Sequence, residues 1–425
     1  MVTISSALYT YKDLELNHAM LYSSLLVAVI LGSMRTTRRA TLQLLSFSAG
    51  ELWGKMWLYS PHRYIWATMR KALPPGVSRI LRSTIKTTSK MVIGRSALRK
   101  TFGHKLVLKK SLRMHRGRRL NSTISLYRRM PLKTMSRLWG RFNQLELPVF
   151  LRKPLLGLYI WMFGCNLQEA EIEDLKLYRN LGEFFRRQLK SHVRPIDVEH
   201  DLTSPADGRI LHYGQVKQGI LEQVKGVTYS LRGFLGPLTW ESPGSNLHSN
   251  HQSDEDYQSS LSLQPGNQLY HCIIYLAPGD YHRFHSPATW MVEHRRHFPG
   301  ELLSVNPGVA RWLQGLFNFN ERAVYTGRWE HGFFSMTAVG ATNVGSIKIY
   351  SDQELETNTR KKYPEHTYFD KKYSEPVTVQ KGDMFGEFNL GSTIVLIFEA
   401  PSGFKFNVHE GDKVKYGRPL GTPLY

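Results

Sequence analysis

A serine that follows a glycine opens the most strand-like run of the sequence. Gly391 precedes Ser392, and residues 394–398 form a short apolar run rich in β-branched side chains, which is typical of a buried strand. Glycine leaves the backbone free to adopt strained or closely approaching geometry, and a small hydroxyl residue at such a turn can react with its own chain. An ordinary glycine turn into a core strand fits the same residues, so this stretch alone leaves both interpretations open.

Two further segments carry residue types suited to acid–base chemistry. Residues 204–210 read SPADGRI and contain Asp207, and residues 275–287 read YLAPGDYHRFHSP and contain His282 and His285. A serine hydroxyl is a weak nucleophile, and the usual way to activate it is a histidine base held by a carboxylate. Two histidines three residues apart also form half of many metal sites, but no third ligand motif is evident. An aspartate before glycine is often only a turn residue.

The three segments together resemble the phosphatidylserine decarboxylases in order and in spacing. The LGST step at residues 390–393 joins the two segments above, and the resemblance covers roughly residues 126–425. The text between the motifs, such as RRHFPG at 295–300 and AVGATNVGSI at 338–347, resembles the mitochondrial branch of that family. Each motif is weak alone, and the three are specific in combination.

The resemblance implies an enzyme that converts phosphatidylserine to phosphatidylethanolamine and CO₂ through a Schiff base with a pyruvoyl group. Such a ketone is the electron sink that decarboxylation of an α-amino acid requires. By the same resemblance, Asp207, His285 and Ser392 form a charge relay for autocatalytic serinolysis, and His282 acts in the decarboxylation step by protonation. Ser392 becomes the pyruvoyl group when the bond after Gly391 is cut.

The implied cut would divide the chain into a β chain, residues 1–391, and an α chain, residues 392–425. The self-derived pyruvoyl group is the expected cofactor, and we expect no metal. The expected partners are phosphatidylserine in the membrane, the two chains of one precursor, and a second processed pair in a homodimer.

Two other classes of protein use the same residue types. A serine hydrolase would leave the chain intact, but the sequence lacks a Gly-x-Ser-x-Gly elbow. A membrane-bound phosphohistidine or prosthetic-group carrier is permitted by the two histidines and by residues 410–421, which resemble a hairpin of the barrel-sandwich hybrid domains that carry biotin or lipoate. No carrier lysine motif accompanies that segment, so we interpret it as shared β architecture.

The positive charge is concentrated in the first third of the chain. Of 425 residues with a net charge of +22, residues 1–141 contain 27 Lys and Arg and 3 Asp and Glu, a net +24, which leaves −2 for the rest. A basic, acid-poor region rich in Ser and Thr is typical of mitochondrial import, and it also suits anionic lipid or nucleic acid. We predict import and membrane contact, with no nucleic acid partner. Residues 1–121 are interpreted as a basic targeting and linker region.

One segment of this region has a possible membrane-spanning length. Residues 16–34 contain no Lys, Arg, Asp or Glu, but polar residues interrupt them. Arg35, Arg38 and Arg39 follow, and the positive-inside rule would hold the C-terminal side in the matrix. The resemblance instead places the catalytic domain at the inner membrane, facing the intermembrane space. Either residues 16–34 are not the anchor or the import machinery overrides the charge bias. We favour the first, because the stretch is short and polar residues interrupt it.

Residues 122–166 are predicted to form amphipathic helices that contact the membrane. Met135, Leu138, Trp139, Phe142 and Leu145 fall on one helical face, and residues 155–163 are apolar but too short to span a bilayer. Packing of these residues against the domain core is the alternative.

Residues 167–425 are predicted to form the catalytic domain, which makes the fold class α+β, with N-terminal amphipathic helices before a β-rich domain with barrel-sandwich-hybrid-like strands. A helix is predicted over 169–190 and another over 308–316. Loops are predicted over 239–267 and 351–378. The predicted strands cover residues 210–216, 269–276, 333–339, 346–350, 392–399 and 404–408.

Overall fold

The computed structural model describes residues 131–423, apart from residues 225, 239–252, 312, 343–345, 366 and 390–391. The helices of this part are α1 (Leu132–Asn143), α2 (Val149–Phe163), α3 (Leu181–Phe185), α4 (Leu231–Leu235), α5 (Asp254–Leu261), α6 (Pro307–Ala310) and α7 (Leu316–Phe319). Its strands are β1 (Leu202–Thr203), β2 (Gly208–Gln215), β3 (Ile220–Val224), β4 (Val227–Ser230), β5 (Asn267–Leu276), β6 (Arg283–His285), β7 (Trp290–Phe298), β8 (Arg322–Trp329), β9 (Gly332–Val339), β10 (Ile347–Ile349), β11 (Phe369–Val379), β12 (Met384–Phe388), β13 (Ser392–Pro401), β14 (Lys405–Phe406), β15 (Lys413–Val414) and β16 (Pro419–Thr422).

An antiparallel sheet of eight strands forms the centre of the fold. Its order is β11-β7-β8-β9-β13-β5-β2-β15, so β13 lies between β9 and β5. Side chains alternate between the two faces of a strand, and both faces of β13 are covered. Leu396 and Phe398 belong to the apolar cluster on one face, and Val395 and Ile397 belong to the cluster on the other. The predicted α chain therefore contributes a central core strand.

Smaller antiparallel sheets complete the β-rich part. β1, β16 and β14 form one, β10, β12 and β6 form another, and β3 pairs with β4. The predicted α+β fold class is confirmed. Residues 410–421 do not form a hairpin of two paired strands. β15 lies at the edge of the large sheet, next to β2, whereas β16 pairs with β1 and β14.

The predicted helix over 169–190 is wrong for most of its length. Only a 3₁₀ turn at Leu175–Leu177 and α3 are helical there. The two ends of the segment bond to each other instead, since the amide of Glu171 donates to the carbonyl of Gln188 at 2.8 Å and that of Lys190 donates to Glu169 at 3.0 Å. Closure of this loop satisfies backbone groups that a helix would otherwise have to pair.

The loop predicted over 351–378 contains most of a strand that hydropathy missed. β11 is the edge strand of the large sheet and pairs with β7. Much of it is exposed, and its pairing is interrupted between Lys372 and Val377, where Pro376 lies. Charged residues and a proline at an interruption are common on edge strands. Such residues resemble a loop in sequence.

Helices are present where the amphipathic pair was predicted, as α1 and α2. α1 is amphipathic, whereas α2 is apolar over most of its surface. α2 buries Leu156 and Tyr159 in an apolar cluster with residues of α3, while Phe150 is 77% exposed and Trp161 is 80% exposed. The structure therefore leaves a broad apolar face unpacked rather than burying the whole helix. Within the described residues, no helix is long and apolar enough to cross a bilayer. Residues 16–34 lie outside the described part.

Candidate active site

The registers of three neighbouring strands bring the motif segments to one end of the large sheet. Ser392, the first residue of β13, lies opposite Leu276, the last residue of β5. Arg209, near the start of β2, lies opposite Tyr275. The residues just before β2, just after β5 and at the start of β13 therefore lie at the same end of the large sheet. Asp207 and the histidine segment occupy the first two of these positions.

The glycine after Asp207 has a steric reason. A Cβ at Gly208 would lie 2.5 Å from the carbonyl oxygen of Tyr275, so β2 can approach β5 this closely only with glycine there. A backbone bond from the amide of His285 to the carbonyl of Pro205, 2.8 Å, ties the aspartate segment to the histidine segment.

Ser392 is completely buried at the start of β13. Its Oγ has no hydrogen-bond partner among the described residues. Buried hydroxyls normally have a partner, and an exception points to strain, an unplaced water or a chemical role. Gly391, the other half of the predicted cleavage step, lies outside the described residues.

A tight turn and a short strand hold the two histidines in the segment that follows β5, at the same end of the sheet as Ser392. The amide of Ala277 donates to Oδ2 of Asp280 at 2.7 Å and fixes the turn after β5. β6 then pairs with β12, and the amide of Phe388 donates to the carbonyl of His282 at 3.0 Å. Phe388 precedes Ser392 by four residues. The histidine segment therefore packs against the chain that leads directly into the predicted cleavage step.

His282 is held as a neutral ring with one nitrogen available. Its Nδ1 lies 2.8 Å from the carbonyl oxygen of Asp280, which can only accept, so Nδ1 carries the hydrogen. Nε2 is buried and has no partner among the described residues, and the ring packs on Phe185 with centroids 3.9 Å apart. Burial lowers the pKa of His282 to about 3. Nε2 is therefore unprotonated in the resting site.

His285 has the same tautomer for the same reason. Its Nδ1 donates to the carbonyl of Gly382 at 2.9 Å, and its Nε2 lies 3.2 Å from the hydroxyl of Tyr281. The ring lies flat on the ring of Tyr416, with centroids 3.9 Å apart and planes 2° from parallel. Burial lowers the pKa of His285 to about 4, although the charge of Asp207 acts in the opposite direction.

Asp207 is near His285 but is not hydrogen-bonded to it. Its carboxylate accepts two bonds from Arg194, at 3.1 Å from Nε and 2.6 Å from Nη2, and a third from the amide of Tyr416 at 2.9 Å. Glu169 shares the guanidinium at 2.6 Å, and the hydrogen bond to Arg194 lowers the pKa of Glu169 to about 2. The structure thus brings Asp207 and His285 to one site without the direct bond of a serine-protease relay.

Sequence reasoning missed three residues of this arrangement. Arg194 neutralises Asp207, Tyr281 faces Nε2 of His285, and Tyr416 contacts both members of the pair. Tyr281 lies inside the histidine motif and could have been suspected for that reason. Nothing in the spacing of Arg194 or Tyr416 marks them, because each acts through contacts between distant parts of the chain.

A possible cation site lies elsewhere in the described part. Oxygen or nitrogen atoms of Asp201, Glu330 and His331 lie within 4.8 Å of one another, beside β1 and in the β8–β9 turn. His282 and His285 do not belong to this group.

The fold and the site define an α+β protein with a buried serine and two neutral histidines in segments that lie at one end of the large sheet. A family model described as phosphatidylserine decarboxylase matches residues 181–422. The mitochondrial phosphatidylserine decarboxylase proenzyme of Cricetulus griseus is 55% identical over 304 residues, which cover 70% of this chain and 74% of that protein. The mitochondrial proenzyme 1 of Saccharomyces cerevisiae is 41% identical over 364 residues, 69% of this chain and 73% of that protein.

These matches settle the family. The chain belongs to the phosphatidylserine decarboxylase family. The resemblance read from the three motifs is confirmed, and with it the general class of decarboxylase.

Proposed function

We propose that this chain cuts itself at Ser392 and uses the resulting pyruvoyl group to decarboxylate phosphatidylserine to phosphatidylethanolamine. The observation that carries the proposal is the hydroxyl of Ser392, which is buried and has no partner among the described residues. Ser392 begins the central strand at the end of the sheet where β5 leads into the segment with the two neutral histidines. A pyruvoyl group fits this position, because conversion of Ser392 would remove a buried hydroxyl that has no hydrogen-bond partner among the described residues.

The self-cleavage requires only groups of this chain and water. Ser392 Oγ gives its proton to a base and attacks the carbonyl carbon of Gly391. The new C–O bond replaces the C–N bond, and the released nitrogen takes up a proton, which gives an ester. Loss of the Cα proton then breaks the Cβ–Oγ bond and frees Gly391 as a carboxylate. The dehydroalanine left at position 392 tautomerises, and water converts it to the ketone with release of ammonia.

His285 is the base in this proposal, and Asp207 supports it. Nε2 of His285 can accept because Nδ1 is committed to Gly382, and the hydroxyl of Tyr281 must turn away before Nε2 takes the serine proton. Asp207 would stabilise the imidazolium by its charge, which already opposes the effect of burial on the pKa of His285. Its three hydrogen bonds keep it in place for that role.

His282 has the tautomer needed for the second reaction. The pyruvoyl ketone, once formed, supplies the electron sink for the carbon that loses CO₂. A substrate ammonium must lose a proton before its nitrogen can attack a ketone, and the free Nε2 of His282 is a buried acceptor for it. The same nitrogen can return a proton to the substrate carbon after CO₂ leaves.

We further propose that α1 and α2 rest on the mitochondrial inner membrane, with the catalytic domain facing the intermembrane space. Their exposed apolar residues include Leu138, Leu145, Phe150 and Trp161. Exposed apolar side chains that lie in one part of the fold mark an interaction site, and a lipid substrate together with basic flanking residues favours the bilayer interface. A homodimer of the processed pair stays an expectation from the family resemblance.

Changing Ser392 to alanine tests the proposed self-cleavage. The variant has no hydroxyl to begin the acyl shift, so we expect one uncut chain without decarboxylase activity on a denaturing gel and in a CO₂-release assay. Thr393→Ser, one residue further along the same strand, is the matched control and should give the normal fragments. Normal fragments from Ser392→Ala would contradict the assignment.

A further inference from the structure

A small cationic pocket lies beside the candidate active site. Arg137 and Arg141 of α1 and Arg186, directly after α3, line it, and no Asp or Glu is among its described lining residues. Its volume is about 190 Å³, and cationic or polar side chains form most of its wall. Such a lining suits a small charged group better than an acyl chain.

Two lining residues connect this pocket to the catalytic residues. Phe185 forms part of its wall and packs on the ring of His282, with centroids 3.9 Å apart. Asn389, three residues before Ser392, forms another part, and its amide donates to the carbonyl of Ser346 at 2.9 Å. Asn389, the last described residue before Ser392, is therefore also part of the wall of the pocket.

The three guanidinium groups differ in how far they are neutralised. Arg141 is exposed and forms no ion pair with any residue of the described part. Arg137 donates to the carbonyl of Thr359 at 3.2 Å, which fixes its position without cancelling its charge. Arg186 shares its charge with Glu387, whose Oε1 lies 3.1 Å away. At least two positive charges therefore remain for a ligand.

A second pocket next to this one has a different charge balance. It is larger, about 490 Å³, and shares Arg186 with the first. Glu171, Glu183 and Glu387 line it together with four cationic side chains. An anion would therefore prefer the smaller pocket.

We propose that the pocket formed by Arg137, Arg141 and Arg186 binds the phosphodiester of the substrate headgroup, an inference that rests on the proposed function. Guanidinium groups are well suited to phosphate because they donate in a planar fork and stay charged. The pocket lies between α1, which exposes Met135 and Leu138, and Asn389, three residues before Ser392. A phosphate held there would place the serine part of the headgroup toward Ser392 and the acyl chains toward the exposed apolar side of α1.

Titration calorimetry with Ser392→Ala protein tests this site without any turnover. Glycerophosphoserine is the probe, with L-serine, which lacks the phosphate, and inorganic phosphate as the other arms. We expect glycerophosphoserine to bind, Arg141→Gln to weaken its binding about tenfold, and Arg141→Lys to restore part of the loss. Lys133→Gln removes the same charge from the same helix outside the pocket and should change nothing.

Two results would overturn the proposal. One is equal affinity for glycerophosphoserine in Arg141→Gln and Lys133→Gln. The other is binding of inorganic phosphate that is as tight as that of glycerophosphoserine and equally sensitive to Arg141→Gln, since this would identify a site for free phosphate. The two proposals are separated by placing both variants in a chain that keeps Ser392. That chain is assayed for fragments and for CO₂ release from phosphatidylserine vesicles. A wild-type chain that neither cuts nor releases CO₂ refutes the proposed function, whereas the calorimetry judges the pocket by itself.

Discussion

Replacing Arg194 with methionine tests how the predicted catalytic carboxylate is held. The Arg194 side chain is 3% exposed, and its Nη2 lies 2.6 Å from Asp207 and 2.6 Å from Glu169. Methionine retains much of the apolar volume but leaves Asp207 without its counter-charge. Removing one partner of a buried ion pair costs about 3–5 kcal/mol, because the remaining charge stays desolvated.

Lys415 provides a matched control on the same network. It contacts Glu169 at the same distance, 2.6 Å, but its side chain is 52% exposed. Exposed pairs contribute about 0–1 kcal/mol, because water screens them. Lys415→Met should therefore cost much less than Arg194→Met, although both remove one positive charge.

The assay is urea unfolding in a Ser392→Ala background, so that self-cleavage cannot alter the chain during the measurement. We expect Arg194→Met to lower the unfolding free energy by about 3–5 kcal/mol and Lys415→Met by less than about 1 kcal/mol. Adding Asp207→Asn to Arg194→Met should recover part of the loss. Equal destabilisation by the two single variants would refute the reasoning, because the buried pair would then be worth no more than an exposed one.

Three further predictions concern the histidines and the apolar face. His285→Ala should leave the chain uncut, whereas His282→Ala should cut normally and decarboxylate poorly; gels and CO₂ release distinguish these outcomes, and the reverse pattern would exchange their roles. Burial lowers the pKa values of His271, His282 and His285 to between about 3 and 4. Below pH 6.5 the unfolded chain therefore binds more protons than the folded chain, and the free energy of unfolding should fall on acidification by up to about 1.4 kcal/mol per pH unit for each ring. Replacing His271 with Gln should reduce that slope in unfolding curves, and an unchanged slope would contradict the low pKa. Changing both Phe150 and Trp161 to serine should lower retention on anionic vesicles at least about tenfold without affecting self-cleavage; unchanged retention in a sedimentation assay would contradict a membrane role for α2.

The sequence predicted best the strands that are apolar along most of their length. The apolar run of β13 identified a core strand, and the structure covers both of its faces. β7 was missed because several of its buried residues are His and Arg. Arg295 bonds to Asp352 and Arg296 bonds to Asp370, 57 and 74 residues further along the chain. Hydropathy cannot reveal a buried charge whose partner lies that far away.

The candidate site divides in a similar way. Motif spacing identified Asp207, His282, His285 and Ser392, and strand register places their three segments at one end of the large sheet. The tautomers of the two histidines could not be predicted from the sequence. The carbonyl of Gly382, far along the chain, sets that of His285, and the carbonyl of Asp280, whose position depends on the local turn, sets that of His282. The same holds for Arg194, which pairs with Asp207 instead of leaving that carboxylate to the histidine.

The mass of the C-terminal fragment tests the central claim most directly. The purified wild-type chain should give a fragment of residues 392–425 that is lighter by one ammonia than the same fragment with a free N-terminal serine. It should also resist N-terminal sequencing and should gain mass on reaction with a carbonyl reagent such as hydroxylamine. A single intact chain, or a fragment that begins with free serine, would contradict self-conversion of Ser392.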